Sequence, residues 1–156
     1  GYDIEYHIVG TGEREEYLRE RVHERGVDEY VKFRGQVPDS QLKKELNEAE
    51  IFVLPCVITS NGDRDITPVA LREAMATQTA CVSTKISAIP EVITDGYDGI
   101  LVEPNDSEAV ADAIGELLDN RGRREKIAKN ARETVKTEFD IRIAVDQLEI
   151  IFQSLQ

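Results

Sequence analysis

The central stretch of the chain, residues 51–83, reads IFVLPCVITSNGDRDITPVALREAMATQTACVS. Two apolar runs of strand length, Ile51–Leu54 and residues 80–83, flank a polar loop and a predicted helix that begins at Pro68 and ends near Thr77. The all-apolar run Ile51–Leu54 is typical of a strand that is buried on both faces. A strand, a helix and a second strand in this order predict a right-handed βαβ unit with parallel strands.

The same alternation continues on both sides of this stretch. Further strands are predicted at 6–9, 31–33 and 99–102. Further helices are predicted at 13–25, 38–49, 89–93, 105–118, 123–138 and 141–155. The pattern predicts an α/β fold, a doubly wound parallel sheet with helices on both faces and C-terminal helices after the last strand.

Length and composition exclude several classes of protein. The 156 residues fit one domain, and 31 acidic against 19 basic side chains give a net charge of −12. With 40% hydrophobic residues, the chain is too apolar for a disordered protein. No apolar run reaches the roughly 18 residues of a membrane span, and no signal peptide is visible. The charge argues against nucleic acid and anionic lipid as partners, and an acidic, lysine-poor surface favours a high-salt (halophilic) cytoplasm.

Ligand-binding loops are expected at one edge of the sheet. Doubly wound sheets bind ligands beyond the carboxyl ends of their strands, which points to residues 10–12, 35–39 and 56–68. The two cysteines and two histidines have no metal-ligand spacing, so we predict no metal site.

The first of these loops holds Gly10 and Gly12 between a strand and a helix. Glycines at such a place let the backbone approach a phosphate. Glu15 stands where a dinucleotide fingerprint has its third glycine, and Glu13 and Glu16 add negative charge that repels a pyrophosphate. These residues leave two interpretations open, a tight strand-to-helix turn and proximity to a ligand.

The third loop leads into a helix through Thr67, a natural N-cap, and Pro68, which fits the first helical position. The amides of Val69 and Ala70 then form either a phosphate site free of carboxylates or a helix start with nothing bound. The sequence leaves this choice open as well.

Glu73 lies on this helix, which is rich in alanine and which we expect to be buried, with no cation three or four residues away. A buried carboxylate needs partners, either amides of a neighbouring loop or hydroxyl groups of a ligand. Asp65 lies eight residues earlier. Two carboxylates at one helix start are suited to the hydroxyl groups of a sugar, with the amides between them on a phosphate.

Several stretches together resemble the nucleotide-sugar half of retaining glycosyltransferases with the GT-B fold, family 4 or group 1. They are DITP at 65–68, EAMA at 73–76, CVST at 81–84, IPEVI at 89–93 and DGYDGILV at 95–102. Shorter similarities are GTG at 10–12, FRGQVP at 33–38 and AEIFVLP at 49–55, so the resemblance covers nearly the whole chain in order. NGD at 61–63 is similar to members of the exopolysaccharide (colanic-acid) type.

The resemblance implies a donor site. Asp65 stands in place of a glutamate that contacts the donor sugar, which makes it the catalytic candidate, and Glu73 matches a second glutamate that contacts the ribose. Amides around Thr67 hold the pyrophosphate, and backbone near Gln36 holds the base. The implied donor-binding residues are Gly10, Gly12, Gln36, Val37, Ile66, Thr67, Val69, Ala70 and Glu73.

The implied reaction transfers a sugar from a nucleotide diphosphate sugar to a saccharide or lipid-linked acceptor, with retention at the anomeric carbon and without a metal or other cofactor. Residues 1–138 are expected to form the nucleotide-sugar-binding domain without its first strand–helix unit, and 139–156 a C-terminal helix. The family's N-terminal acceptor-binding domain, and the Arg and Lys that neutralise the leaving pyrophosphate, are expected to be missing from this chain. We therefore expect the chain to bind nucleotide weakly and not to turn over by itself.

Two other functions are alternatives to a glycosyltransferase. Asp65 in place of glutamate, and Ile66 in place of a usual glycine, also fit a non-catalytic ligand-sensing or scaffold domain. A nicotinamide-dependent oxidoreductase is disfavoured, because the third glycine and an acidic residue at the end of the second strand are both missing. The expected location is the cytoplasm. Peripheral association of the full-length protein with the inner face of the membrane is left open.

Overall fold

The computed structural model describes residues 2–59, 62 and 69–154. The strands in this part of the chain are β1 (Tyr6–Val9), β2 (Val31–Gly35), β3 (Ile51–Leu54), β4 (Ala80–Thr84) and β5 (Ile100–Val102). The helices are α1 (Glu15–Glu24), α2 (Asp39–Glu48), α3 (Val69–Ala76), α4 (Ile89–Val92), α5 (Ser107–Asp119), α6 (Arg121–Glu138) and α7 (Ile141–Ser154). Within the described residues every predicted strand and helix is present, with ends that differ by at most two residues.

The strands pair in parallel, as the βαβ pattern predicts. Within the described residues β1 pairs with β2, and β4 lies between β3 and β5 in a separate three-stranded sheet. The expectation that β3 is buried on both faces is wrong, because all four of its residues are half-buried. The reason is that β3 is an edge strand of the described sheet and has a paired neighbour on one side.

The chain forms two compact units, Gly1–Glu45 and Leu46–Gln156. In the first unit, none of the described residues is fully buried, and the guanidinium of Arg19 on α1 lies 4.1 Å from the ring centre of Phe33 on β2. This cation–π contact joins the helix to the strand. The predicted division into residues 1–138 and 139–156 is a different one and stays a prediction.

The second unit holds the buried core. All five residues of β4 are buried, and β5, α5 and α6 pack around them. The core cluster consists of Ala80, Val82, Ile100, Ala113, Leu117, Ile127 and Ala128. Burial of one large side chain such as Leu117 contributes about 1.5–3 kcal/mol to the stability of the fold. Because the cluster holds β4 and β5 in place, it also positions the loops at their ends.

The last helix, α7, has a largely exposed apolar surface. Its exposed apolar side chains are Ile141, Val145, Leu148, Ile150, Ile151 and Phe152. Among the described residues, no helix combines the length and the apolarity that crossing a bilayer requires.

Candidate donor-binding site

Two of the predicted ligand loops meet in the first unit. Gly10 follows β1 with a φ of +116°, a conformation that favours glycine, and its amide donates to the carbonyl of Gly35 at 2.8 Å. Gly35 ends β2, so Gly10 lies beside the residue that precedes Gln36. Gln36 is exposed and Val37 is half-buried. The structure thus brings Gly10 and the 36–37 segment together at the carboxyl ends of two parallel strands.

Gly12 belongs to the turn that starts α1. It is exposed, and its carbonyl accepts the amide of Glu15 at 3.1 Å. Glu15 and Glu16 stand in the first turn of the helix, and Glu15 forms an ion pair of 2.7 Å with Arg19. Carboxylates in a first turn occupy the favourable end of the helix dipole and repel an anion there. The geometry at Gly12 is that of a tight strand-to-helix turn.

In the second unit, α3 presents an uncharged first turn. Val69 is 59% exposed, Ala70 is half-buried, and the first turn contains no acidic residue. The first amides of a helix have no intrahelical partner and lie at its positive end. This start of α3 therefore has the donors that a phosphate site needs. The predicted residues Asp65, Ile66 and Thr67 lie outside the described residues, and their roles stay predictions.

Glu73 requires a correction. The sequence placed it on a buried helix, whereas the structure leaves it exposed, with no hydrogen bond or ion pair from its side chain to another described residue. Its position on the helix explains the difference, since it lies about 200° around the axis from buried Leu71, at roughly 100° per residue. Val69 lies one turn before it on the same exposed side. The cost of a buried carboxylate therefore does not argue for a ligand at Glu73, although its exposed side chain is accessible to one.

Two buried hydroxyl groups fix the start of the loop that follows β3. Ser83 donates to the carbonyl of Leu54 at 2.7 Å, and Thr84 donates to the carbonyl of Cys56 at 2.6 Å. Both side chains are on the fully buried strand β4. In the sequence these residues contributed only to the family resemblance, and their hydrogen bonds to the loop were not predicted. Polar residues at the end of a buried apolar strand could have indicated such a role.

The 95–99 part of the resemblance is a structural loop. Asp98 is 2% exposed and accepts the amide of Thr94 at 2.7 Å and the hydroxyl of Thr134 at 2.8 Å. Asp95 accepts the amide of Leu101 at 2.9 Å. A Cβ atom on Gly99 would lie 2.7 Å from a methyl carbon of Ile93, so the position has no room for a side chain.

An ionic cluster in the first unit was not predicted. His7 on β1 lies between two carboxylates, with Nδ1 at 2.5 Å from Glu45 on α2 and Nε2 at 2.5 Å from Glu5. The guanidinium of Arg34 lies 3.6 Å from Glu45 and 3.7 Å from Glu5. The hydrogen bond with Glu45, followed by that with Glu5, raises the pKa of His7 above its ordinary value of 6.5. The cluster ties β1 to α2.

The candidate donor residues fall into two groups. Gly10, Gln36 and Val37 are in the first unit, and Val69, Ala70 and Glu73 are on α3 in the second. Across residues 2–59, 62 and 69–154, no group of three or more acidic, histidine or cysteine side chains has the geometry of a metal site.

Known proteins with similar sequences are glycosyltransferases. The chain matches the family of glycosyl transferases group 1 over residues 1–134. It is 36% identical over 152 residues to the amylovoran biosynthesis glycosyltransferase AmsK of Erwinia amylovora, a match to 97% of this chain and 37% of that protein. It is 33% identical over 156 residues to the putative colanic acid biosynthesis glycosyltransferase WcaL of Escherichia coli, a match to 99% and 38%. The chain thus spans less than two fifths of the length of these relatives.

Solved structures share the fold. HepE of Anabaena, crystallised with UDP-glucose, has a TM-score of 0.84 at 20% identity, covering 99% of this chain and 42% of HepE. The C-terminal domain of the group 1 glycosyl transferase LpcC from Francisella tularensis has a TM-score of 0.70 at 30% identity, covering 84% of this chain and 66% of that one. The predicted fold, the Rossmann-like half of a GT-B glycosyltransferase, is confirmed by these likenesses. Together with the match over residues 1–134, they establish that the chain belongs to the group 1 family of glycosyltransferases.

Proposed function

We propose that the chain is the donor-binding half of a retaining glycosyltransferase, which transfers a sugar from a nucleotide diphosphate sugar. The observation that carries this proposal is the start of α3. Val69 and Ala70 offer amides in a first turn without acid, and Glu73 is exposed one turn further on, on the side of Val69. The UDP-glucose bound to HepE, a protein with the same fold, supports this choice of ligand.

In this proposal each part of the donor meets a different segment. The pyrophosphate lies on the amides of Thr67, Val69 and Ala70, where the positive end of a helix stabilises negative charge. Glu73 accepts hydrogen bonds from the two ribose hydroxyl groups, as the two oxygens of a carboxylate allow. By resemblance, we assign the base to Gln36 and Val37 with Gly10 and Gly12, and the donor sugar to Asp65 and Ile66, with Asp65 as the catalytic residue.

The leaving pyrophosphate needs cationic stabilisation. We propose that the basic residues for it come from a part of the whole protein outside this chain, together with an acceptor-binding domain. The exposed apolar residues of α7 support such a partner, since large exposed apolar patches mark interaction sites. The named relatives are an amylovoran biosynthesis glycosyltransferase and a putative colanic acid biosynthesis glycosyltransferase, which favours a saccharide or lipid-linked saccharide of an exopolysaccharide as the acceptor.

A second function, a non-catalytic ligand-sensing or scaffold domain, is favoured by Asp65 and Ile66, which replace a glutamate and a glycine of the family pattern. The two functions differ in the activity of the full-length protein. Sugar transfer that Asp65→Glu preserves or raises supports the enzyme, and no transfer by either form supports the non-catalytic domain.

The acidic composition supports a proposal about the salt concentration in which the protein works. We propose that a net charge of −12 reflects a high-salt cytoplasm, in which screening removes the mutual repulsion of the carboxylates. A melting temperature that rises between low and molar salt supports this, and one that does not rise contradicts it. A lipid-linked acceptor places the full-length protein at the inner face of the membrane, which cell fractionation tests.

Glu73→Gln is the variant that tests the donor site. It removes a charged acceptor of hydrogen bonds worth about 1.5–3 kcal/mol, so the affinity for UDP-glucose or GDP-mannose falls about 10- to 100-fold. Because Glu73 is exposed and without a described partner, the free energy of unfolding changes by less than about 0.5 kcal/mol. NMR titration gives the affinity and urea unfolding gives the stability.

The matched control is Glu138→Gln, which changes another exposed glutamate, at the end of α6. It should alter neither affinity nor stability. Equal affinities of the Glu73→Gln variant and the unchanged chain would contradict the assignment of Glu73 to the ribose.

A further inference from the structure

The acidic chain carries one strongly basic helix. α6 has seven basic residues against three glutamates, although the whole chain has a net charge of −12. Lys126 and Lys129 are exposed, and neither forms an ion pair with another described residue. Arg121, Arg123, Arg124 and Lys136 are paired with carboxylates, so Lys126 and Lys129 are the ammonium groups of this helix that are open to an anion.

A cleft of about 590 Å³ opens between this helix and the loop that precedes β5. Tyr97 lines it from the loop, and Arg123, Lys126 and Asn130 line it from α6. The side-chain amide of Asn130 donates to the carbonyl of Tyr97 at 2.8 Å, and buried Asp98 accepts the hydroxyl of Thr134 at 2.8 Å. These bonds fix the two walls against each other.

The lining side chains have defined free groups. Lys126 presents an ammonium that has no carboxylate partner among the described residues, while Arg123 forms an ion pair of 2.7 Å with Glu116. Asn130 uses its NH₂ group on Tyr97, so its carbonyl oxygen is available to accept a hydroxyl group. Tyr97 is 55% exposed. Asp95 also lines the cleft; its carboxylate accepts the amide of Leu101 at 2.9 Å and lies 3.8 Å from the ammonium of Lys85.

We propose that this cleft binds a sugar that carries a carboxylate or a phosphate group. Lys126 and Arg123 take the anionic group, the Tyr97 ring takes the apolar C–H face of the sugar, and Asn130 accepts a sugar hydroxyl. The volume lies in the range of about 300–1,000 Å³ of small-molecule sites, which exceeds what a single inorganic ion fills.

The cleft is distinct from the proposed donor site. Glu50 immediately precedes β3 and forms an ion pair of 2.5 Å with Arg124, so the first turn of α6 lies at the amino ends of the strands. The donor residues on α3 follow the carboxyl end of β3. The inference thus stands without the proposed function and goes beyond it.

The test is an NMR titration of the 156-residue chain with glucuronate, glucose 6-phosphate, methyl glucoside and inorganic phosphate. We expect a saturable shift of the Tyr97, Gly122 and Lys126 amides with at least one anionic sugar, and which one binds identifies the anionic group. Lys126→Gln should weaken this binding about threefold to tenfold. Lys129→Gln, which changes an exposed lysine of α6 outside the cleft, should leave it unchanged.

Three results would overturn the proposal. The first is that neither anionic sugar produces a saturable shift at these amides. The second is that methyl glucoside binds as tightly as the anionic sugars, and the third is that inorganic phosphate does. Unchanged affinity in a Lys126→Gln variant with a native amide spectrum would overturn the role of the cation as well.

Discussion

Replacing Asp98 by alanine tests the loop that joins α4 to β5. The carboxylate is 2% exposed and accepts the Thr94 amide at 2.7 Å and the Thr134 hydroxyl at 2.8 Å. Asp98→Ala removes both acceptors, so the part-buried Thr94 amide and Thr134 hydroxyl lose these hydrogen bonds. The substitution therefore weakens the attachment of the loop to α6 without changing the α3 donor residues.

The magnitude follows from these two bonds. A hydrogen bond to a charged group contributes about 1.5–3 kcal/mol, so the pair contributes about 3–6 kcal/mol before the cost of keeping a buried carboxylate is subtracted. We expect Asp98→Ala to lower the free energy of unfolding by about 3–4 kcal/mol. Asp98→Asn keeps the shape, accepts from Thr94 and donates to the Thr134 oxygen, so its loss is about 1 kcal/mol or less.

Urea unfolding followed by circular dichroism measures both losses, and hydrogen exchange of the Thr94 amide reports on the loop itself. Asp112→Ala, at an exposed position of α5, is the control and should change stability by less than about 0.5 kcal/mol. A loss of under about 1 kcal/mol in Asp98→Ala, or equal losses in the alanine and asparagine variants, would refute the reasoning.

Three further predictions concern the pH response, packing and thiol chemistry. Pairing with Glu45 and Glu5 raises the pKa of His7 above 6.5, so its contribution to stability is complete below pH 6.5 and is lost as the pH rises through the raised value. A His7→Gln variant should lose this pH dependence in thermal melts between pH 5 and about 9; an unchanged slope would contradict the cluster's role. Gly99→Ala should lower the free energy of unfolding in urea by about 1–3 kcal/mol, because its Cβ would lie 2.7 Å from a methyl carbon of Ile93. Wild-type stability of this variant would show instead that the Ile93 side chain moves aside without cost. Burial raises the pKa of the Cys81 thiol, so peptide mass spectrometry should find it alkylated no faster than the chain unfolds, and faster native labelling would contradict its burial.

The order of strands and helices was predictable because it depends on local pattern. Short apolar runs that end at glycine or polar residues, such as 6–9 and Ile51–Leu54, gave the strands at their observed positions. The burial of β3 was not predictable, since it depends on which strands become its neighbours. The exposure of Glu73 was in reach of the sequence, because its angle from Leu71 on the helix follows from periodicity.

The side-chain networks could not be read from the sequence, because their partners are far apart along the chain. Asp98 meets Thr134, 36 residues later, and His7 meets Glu45, 38 residues later. Their pairing depends on the packing of α6 and α2, which no local pattern encodes. Local sequence features indicated Glu73 and the first turn of α3, the resemblance assigned their roles, and the structure adds their accessibility.

The central claim is that α3 binds the nucleotide part of a sugar donor. The most direct measurement is a crystal structure of the chain with UDP-glucose or GDP-mannose bound. The account predicts the pyrophosphate on the amides of Val69 and Ala70, and the Glu73 carboxylate at about 2.6–3.2 Å from the ribose hydroxyl groups. A nucleotide bound elsewhere on the chain, or a ribose out of reach of Glu73, would contradict it.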